Sequence, residues 1–299
     1  MQRLVVCLLA FWIVAPVQAQ DRPVDLELAL GIDVSGSVDD EEAILQRQGY
    51  IAAFRHPDVI RAIEHGMLGR IAVGYYEWAG YGHMRVIADW TEIRDAKSAN
   101  AFADMLTLNP PRTAHRTAIA AAIDFAALWF DMNAFEGTRR VVDISGDGPN
   151  NWGGLVAVAR DRAVARGVTI NGLPIVNDRP SLSGRPQIRN LDLYYRDCVI
   201  GGPGAFIVVA NTFEEFAVAV RKKLIIEIAG SMGQTHAAAQ RDGRGTGDAD
   251  RRSASSGTAR RLATDVPFRP RLIPAQLKPD RIAPPCDIGE RRWDDYEDF

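Results

Sequence analysis

Leu26-Glu27-Leu28-Ala29-Leu30-Gly31-Ile32-Asp33-Val34-Ser35-Gly36-Ser37 runs from a strand into a loop. It begins as an alternation and becomes fully apolar, as a strand buried on both faces does. It then ends in oxygen-bearing side chains at alternate positions. Asp33, Ser35 and Ser37 can point to one side of an extended turn, which puts one carboxylate and two hydroxyls beyond a buried strand. The residues that follow, Asp39 to Phe54, read as a helix. Its acidic start (Asp39, Asp40, Glu41, Glu42) suits the positive end of a helix dipole, and Ile44, Leu45, Ile51 and Ala52 mark its apolar face.

Further along, strand-like and helix-like segments keep alternating. Arg70–Trp78 and Arg85–Trp90 are rich in β-branched and aromatic residues and read as strands. Thr117–Phe130 is a helix, with Ile119, Ile123, Ala126 and Phe130 on one face. Arg140–Ile144 is a short buried strand, Leu155–Arg166 a helix stopped by Gly167, and Val168–Val176 and Ala205–Ala210 two more strands. Phe213, Phe216, Ala217, Val220 and Leu224 line a last helix. This order predicts an α/β fold: an open, mostly parallel central sheet with helices on both faces and one antiparallel edge strand. Ligands of such sheets sit in the crevice beyond the carboxyl ends of the strands.

Three segments reach that crevice. One is the Asp33-Val34-Ser35-Gly36-Ser37 loop, one the helix start that carries Thr117, and one Ser145-Gly146-Asp147-Gly148 after a middle strand. Together they offer two carboxylates and three hydroxyls, all hard oxygen donors. Hard divalent cations take such ligands and keep several waters. The reading is therefore one divalent cation, Mg2+ ahead of Mn2+ or Ca2+. Its open coordination position can accept a carboxylate from another molecule.

Asp-x-Ser-x-Ser after a first strand, a later Thr, and Asp-Gly after a middle strand resemble the metal-ion-dependent adhesion site of von Willebrand factor A-like domains. Asp33, Ser35 and Ser37 match the first motif, Thr117 the threonine that leads Thr-x-Ile-x-x-Ala-Ile, and Asp147 the last aspartate. The resemblance covers about Val24 to Ile228 and includes the edge hairpin expected at Arg70–Trp90. Asp33–Asp39, Asp143–Asn151 and Val199–Phe206 resemble, more narrowly, an exported bacterial family of unknown function with the same fold. Many members place Thr directly before the last Asp; here it is Gly146. The resemblance implies a binding module whose cation is completed by an Asp or Glu of a partner protein, with no catalytic residue.

Neighbouring residues allow two readings each. Asp143, inside an apolar strand, and Ser145 could support the metal ligands, or Asp143 could be a buried hydrogen-bonded carboxylate. Asn150, Asn151 and Trp152 could rim the partner site, or the two asparagines could cap a helix. His115 could overlook the site or be an ordinary loop histidine; the five histidines show no zinc-ligand spacing.

The chain has 299 residues and a net charge of −3, which gives no general pull toward nucleic acid or acidic membranes. Residues 1–20 follow the signal-peptide pattern, with Arg3 before an apolar run of about 14 residues and a small residue at the cut. The rival is an uncleaved anchor, but the run is shorter than the ~20 residues of a spanning helix. The sequence thus predicts an exported protein, periplasmic or secreted, with no membrane span after cleavage. The vWA-like domain would occupy residues 21–230. A Gly/Ser/Arg-rich and then Pro-rich flexible tail would occupy 231–299, with Trp293, Tyr296 and Phe299 as candidate docking residues. Cys198 and Cys286 either pair or remain free thiols.

Two rival functions follow from the same residues. Asp33 could be the nucleophile of a metal-dependent, phosphatase-like hydrolase, but that chemistry needs a second Asp where Ser35 stands. Alternatively, a scaffold with a vestigial site could bind through its tail.

Overall fold

The computed structural model describes residues 21–80, 82–176, 187–212, 215–241 and 281–291. The signal-like stretch 1–20, Phe213, and Trp293, Tyr296 and Phe299 lie outside these residues. Five strands form the central sheet: β2 (Glu27–Asp33), β3 (Ile71–Trp78), β4 (Met84–Ile93), β6 (Arg140–Gly146) and β7 (Val168–Pro174), in the order β4-β3-β2-β6-β7. All neighbours are parallel except the β3–β4 hairpin at one edge. This is the open, mostly parallel sheet with one antiparallel edge strand that the sequence predicts. A separate parallel pair, β1 (Arg22–Val24) with β5 (Phe135–Gly137), was not legible from the sequence.

Helices cover both faces. Alpha-helices α1 (Asp40–Phe54), α2 (Pro57–Glu64), α3 (Ala96–Met105) and α7 (Phe216–Arg241) close one core around Leu28, Leu30, Val73 and Tyr75. On the other face, α4 (Ile119–Trp129), α5 (Val156–Ala165) and α6 (Leu191–Tyr194) pack over Ala29, Val142, Ile144 and Ile170. Strand β2 is buried along its whole length, as its apolar run requires.

Four expectations need correction. The buried face of α1 is Ala43, Gln46, Arg47, Tyr50, Ala53 and Phe54, whereas Ile44 and Leu45 are exposed. Gln46 and Arg47 go inside because each finds partners there: Gln46 Nε2 donates to the Asp33 carbonyl, and Arg47 pairs with buried Glu77. Residues 205–210 do not form a strand. They run beside β7 through isolated bridges at Ile207 and Ala210, and the Phe206 N–H donates to the Asn171 side chain instead of a backbone carbonyl. The predicted helix at Thr117 begins at Ile119.

The fourth correction concerns the tail. Helix α7 continues to Arg241, and residues 281–291 lie on the domain. Cys198 and Cys286 are joined by a disulfide across 88 residues. Arg281 pairs with Asp192, and Glu290 accepts a hydrogen bond from Asn150 Nδ2. A side chain at Gly289 would overlap the Asn150 carbonyl oxygen, 1.9 Å from the place of its Cβ. Among the described residues, no helix is long and apolar enough to cross a membrane.

Candidate functional site

The sheet order brings the donors together. β2 and β6 are neighbours in the sheet centre, with Ile32 opposite Ser145, so Asp33 and Asp147 emerge side by side. The chain leaves β2 for β3 on one side, while β6 lies on the other; this is a switch point of the kind where α/β sheets bind ligands. Thr117 comes from the segment before α4. Its predecessor, Arg116, has a left-handed φ of 68°. Such a backbone is uncommon for a residue with a Cβ and costs of order 1–3 kcal/mol. The Gly80 N–H holds the turn by donating to the His115 and Arg116 carbonyls at 3.1 and 2.7 Å.

The five residues form one connected set. Thr117 Oγ1 donates to Ser35 Oγ at 3.2 Å, Ser35 Oγ lies 3.1 Å from Ser37 Oγ, and Ser37 Oγ donates to Asp147 Oδ1 at 2.5 Å. Asp33 Oδ1 accepts from the Ser35 N–H at 2.7 Å, while Asp33 Oδ2 is buried with no hydrogen-bond partner. Asp33, Ser35, Thr117 and Asp147 are buried, and Ser37 is half-buried.

Both carboxylates are hard to ionise here. Burial raises Asp33 well above the usual carboxylate range, and the Asp147 charge adds to this. Burial pushes Asp147 up to about 6 against the help of the Ser37 hydroxyl, and Glu42 adds repulsion. Among the described residues, no Lys, Arg or His offsets either group. An unpaired buried carboxylate is costly, and a divalent cation is the usual remedy. The residues fit such an ion: two carboxylates, three hydroxyls free to rotate their protons away, and one orphaned oxygen already facing inward.

The other expected residues divide. Asn151 Oδ1 accepts from the Thr117 N–H at 2.8 Å, and its Nδ2 donates to Thr117 Oγ1 at 3.3 Å. Asn150 Oδ1 accepts from the Ala120 N–H at 2.9 Å. The two asparagines therefore cap α4 from a distance, since Ala118 makes no side-chain cap, and they brace Thr117 while doing so. Asp143 turns to the opposite face. It pairs at 2.7 Å with Lys223 of α7, which also pairs with Glu227. Burial raises Asp143 to about 7, with Lys223 opposing. Ser145 is on that same face, beside Tyr50. His115 is exposed next to Gly36, and sends no side-chain bond into the set of five.

Three further residues touch the site and had no sequence signal. Gln46 holds the Asp33 carbonyl. Gln187 Nε2 donates to the carbonyls of Asp147 at 2.6 Å and Ile175 at 2.8 Å, which ties the loop to the end of β7. Tyr195 is wholly buried, with burial and the Asp33 and Asp147 charges raising its phenol well above the ordinary value. Arg116 stacks over exposed Trp152 at 5.3 Å, on the rim.

A family model described as "Protein of unknown function (DUF1194)" matches residues 23–232, and the chain belongs to that family. No curated protein matches the sequence. Several solved structures are similar. Proximal thread matrix protein 1 from the mussel byssus is 14% identical over 70% of this chain and 49% of its own, with a TM-score of 0.48. Another structure of that protein is described as having a zinc-occupied MIDAS motif. BatB from Bacteroides thetaiotaomicron is 19% identical over 69% of this chain and 99% of its own, at a TM-score of 0.46. A von Willebrand factor type A structure from Catenulispora acidiphila is 14% identical over 70% of this chain and 43% of its own, also at 0.46. The chain spans about half the length of the mussel protein.

Proposed function

We propose that the protein is an exported, metal-dependent protein-binding module. Asp33, Ser35, Ser37, Thr117 and Asp147 hold one divalent cation, Mg2+ first among candidates, some of them through water. An Asp or Glu from a partner protein completes the coordination. The observation that carries this reading is the meeting of two buried carboxylates, with no cationic side chain among the described residues to offset them, in one hydrogen-bonded set with three hydroxyls from two segments of the chain. The bound ion would supply positive charge and an open coordination position; the loops around it supply selectivity. Trp152, exposed and stacked by Arg116, gives the rim an aromatic surface.

No bond need be made or broken. Asp33 is a poor nucleophile in this setting: one oxygen is held by the Ser35 N–H and the other is buried. Export fits the N-terminal signal pattern and the Cys198–Cys286 disulfide, which belongs in an oxidising compartment.

Calorimetric titration of Mg2+ and Mn2+ into chelator-stripped protein tests the metal site. Saturable one-to-one binding that disappears in D33A/D147A is the expected result. No binding by the wild type at millimolar ion would overturn the reading.

A further inference from the structure

Among the described residues, two buried polar atoms beside Gly146 have no hydrogen-bond partner. They are Asp33 Oδ2 and the Tyr195 hydroxyl, both fully buried. Buried polar groups are nearly always satisfied, and an exception calls for a missing water or ion. These two exceptions share one location. A Cβ on Gly146 would lie 2.7 Å from each of them. Gly146 is the last residue of β6 and directly precedes Asp147. Its missing side chain is what lets the tyrosine reach the end of β2.

The rest of Tyr195 is held firmly. It opens the turn Tyr195–Val199, which also contains the disulfide-bonded Cys198. Its ring lies over Gly172 of β7, where a Cβ would meet the ring at 2.8 Å. Gly172 sits beside Ile144 of β6 in the strand register. Two glycines on adjacent strands thus leave a path for the phenol, one under the ring and one at the hydroxyl. A phenol is neutral at pH 7 and brings one donor and two lone pairs. It is therefore able to donate toward a carboxylate without competing for its charge.

We propose that Tyr195 is a positioning residue of the cation site, its hydroxyl directed toward Asp33 Oδ2 at the place where the absent side chain of Gly146 lets the two atoms come close. The idea rests on the cation reading above. Holding Asp33 Oδ2 in this way fixes which of its lone pairs faces the ion. Groups that orient metal ligands are typically worth 10–100-fold in metal affinity.

The test is Mg2+ and Mn2+ calorimetry on wild type, Y195F, G146A and Y195F/G146A, with the full chain and its disulfide intact. Y195F keeps the ring and removes only the hydroxyl. It should bind the ion about 10–100-fold more weakly, while the chelator-treated protein unfolds at an unchanged urea midpoint. G146A should also weaken binding, because its methyl displaces both polar atoms. The two losses should not add, since both act on one shared space. Addition of Mg2+ should give a tyrosine ultraviolet difference signal in wild type that is missing in Y195F. If wild type takes up no ion, the cation reading fails and this inference falls with it. If wild type binds and Y195F binds within about twofold, the inference alone is overturned. Fully additive losses would overturn it too, as would an unchanged difference signal. Should Y195F not fold, the G146A affinity and the wild-type signal decide.

Discussion

Replacing both members of the Cys198–Cys286 disulfide by alanine should strongly destabilise the domain. The bond closes a loop of 88 residues. In the chain-entropy treatment, a cross-link of that span removes roughly 15 cal/mol/K from the unfolded ensemble, or about 5 kcal/mol at 25 °C. Native disulfides usually deliver 2–5 kcal/mol on removal, so a loss of about 3–5 kcal/mol is expected. The non-covalent ties of residues 281–291 include the partly exposed Arg281–Asp192 pair, hydrogen bonds of Asn190 with Arg281 and the Ile282 carbonyl, the Glu290–Asn150 hydrogen bond, a weak one from Tyr194 to the Cys286 carbonyl, and the packing of Ile288 on the core. These would not hold the segment against its ordering entropy once the bond is gone. The assay is urea unfolding of wild type and C198A/C286A, followed by circular dichroism. The midpoint should fall, and the slope should rise because the uncrosslinked chain exposes more surface. Thiol titration of denatured wild type without reductant should find neither of these cysteines free. A stability loss under about 1 kcal/mol, or two titratable thiols, would refute the argument that this bond straps the segment to the domain.

Other expectations can be checked in the same way. In chelator, the folded protein holds protons on Asp147 up to about pH 6, whereas the unfolded chain releases them near the ordinary carboxylate value of 3.8. Stability should therefore be greatest below the lower value and fall as pH rises through the window to about 6, by on the order of 3 kcal/mol from this group; Asp33 acts in the same direction. Urea midpoints across that window should slope downward in wild type and flatten in D147N; an upward slope there would contradict the burial argument. Replacing Lys223 by Met leaves Asp143 and Glu227 buried without their cation, and should cost about 3–5 kcal/mol in urea unfolding. N151A removes a bond to the Thr117 N–H and another to its hydroxyl, and should cost about 1 kcal/mol while weakening Mg2+ uptake.

Much of this architecture was legible because burial writes a plain pattern. Strand β2, β6 and β7 announce themselves as apolar runs, and α4 by the recurrence of Ile119, Ile123, Ala126 and Phe130. Once those strands lie parallel, the loops carrying Asp33, Thr117 and Asp147 must open on one edge, so the meeting of the five oxygen donors follows from order alone. The misreadings share a cause. They fall where a side chain is placed by a specific partner and not by its own polarity. Gln46 and Arg47 are buried because Asp33 and Glu77 await them, which displaced the expected apolar face of α1. Asp143, which the sequence left open between a supporting role and a buried bonded carboxylate, is the latter, since strand alternation turns it to Lys223 on the other face. Residues 281–291 have tail composition, and the disulfide from Cys198 straps them to the domain, beside contacts that no local pattern announces.

The clearest case is Gly146. Its departure from the usual threonine is visible in the sequence as an absent side chain. What the absence accommodates is not visible, because Tyr195 comes from a short helical turn with no periodicity and no motif. A missing Cβ says only that something comes close. Which atoms do so is decided by the sheet, which sets β7 beside β6 and carries the tyrosine ring across Gly172 to the orphaned oxygen of Asp33. The site's donors are therefore a property of local sequence, while the way they are held is a property of the fold.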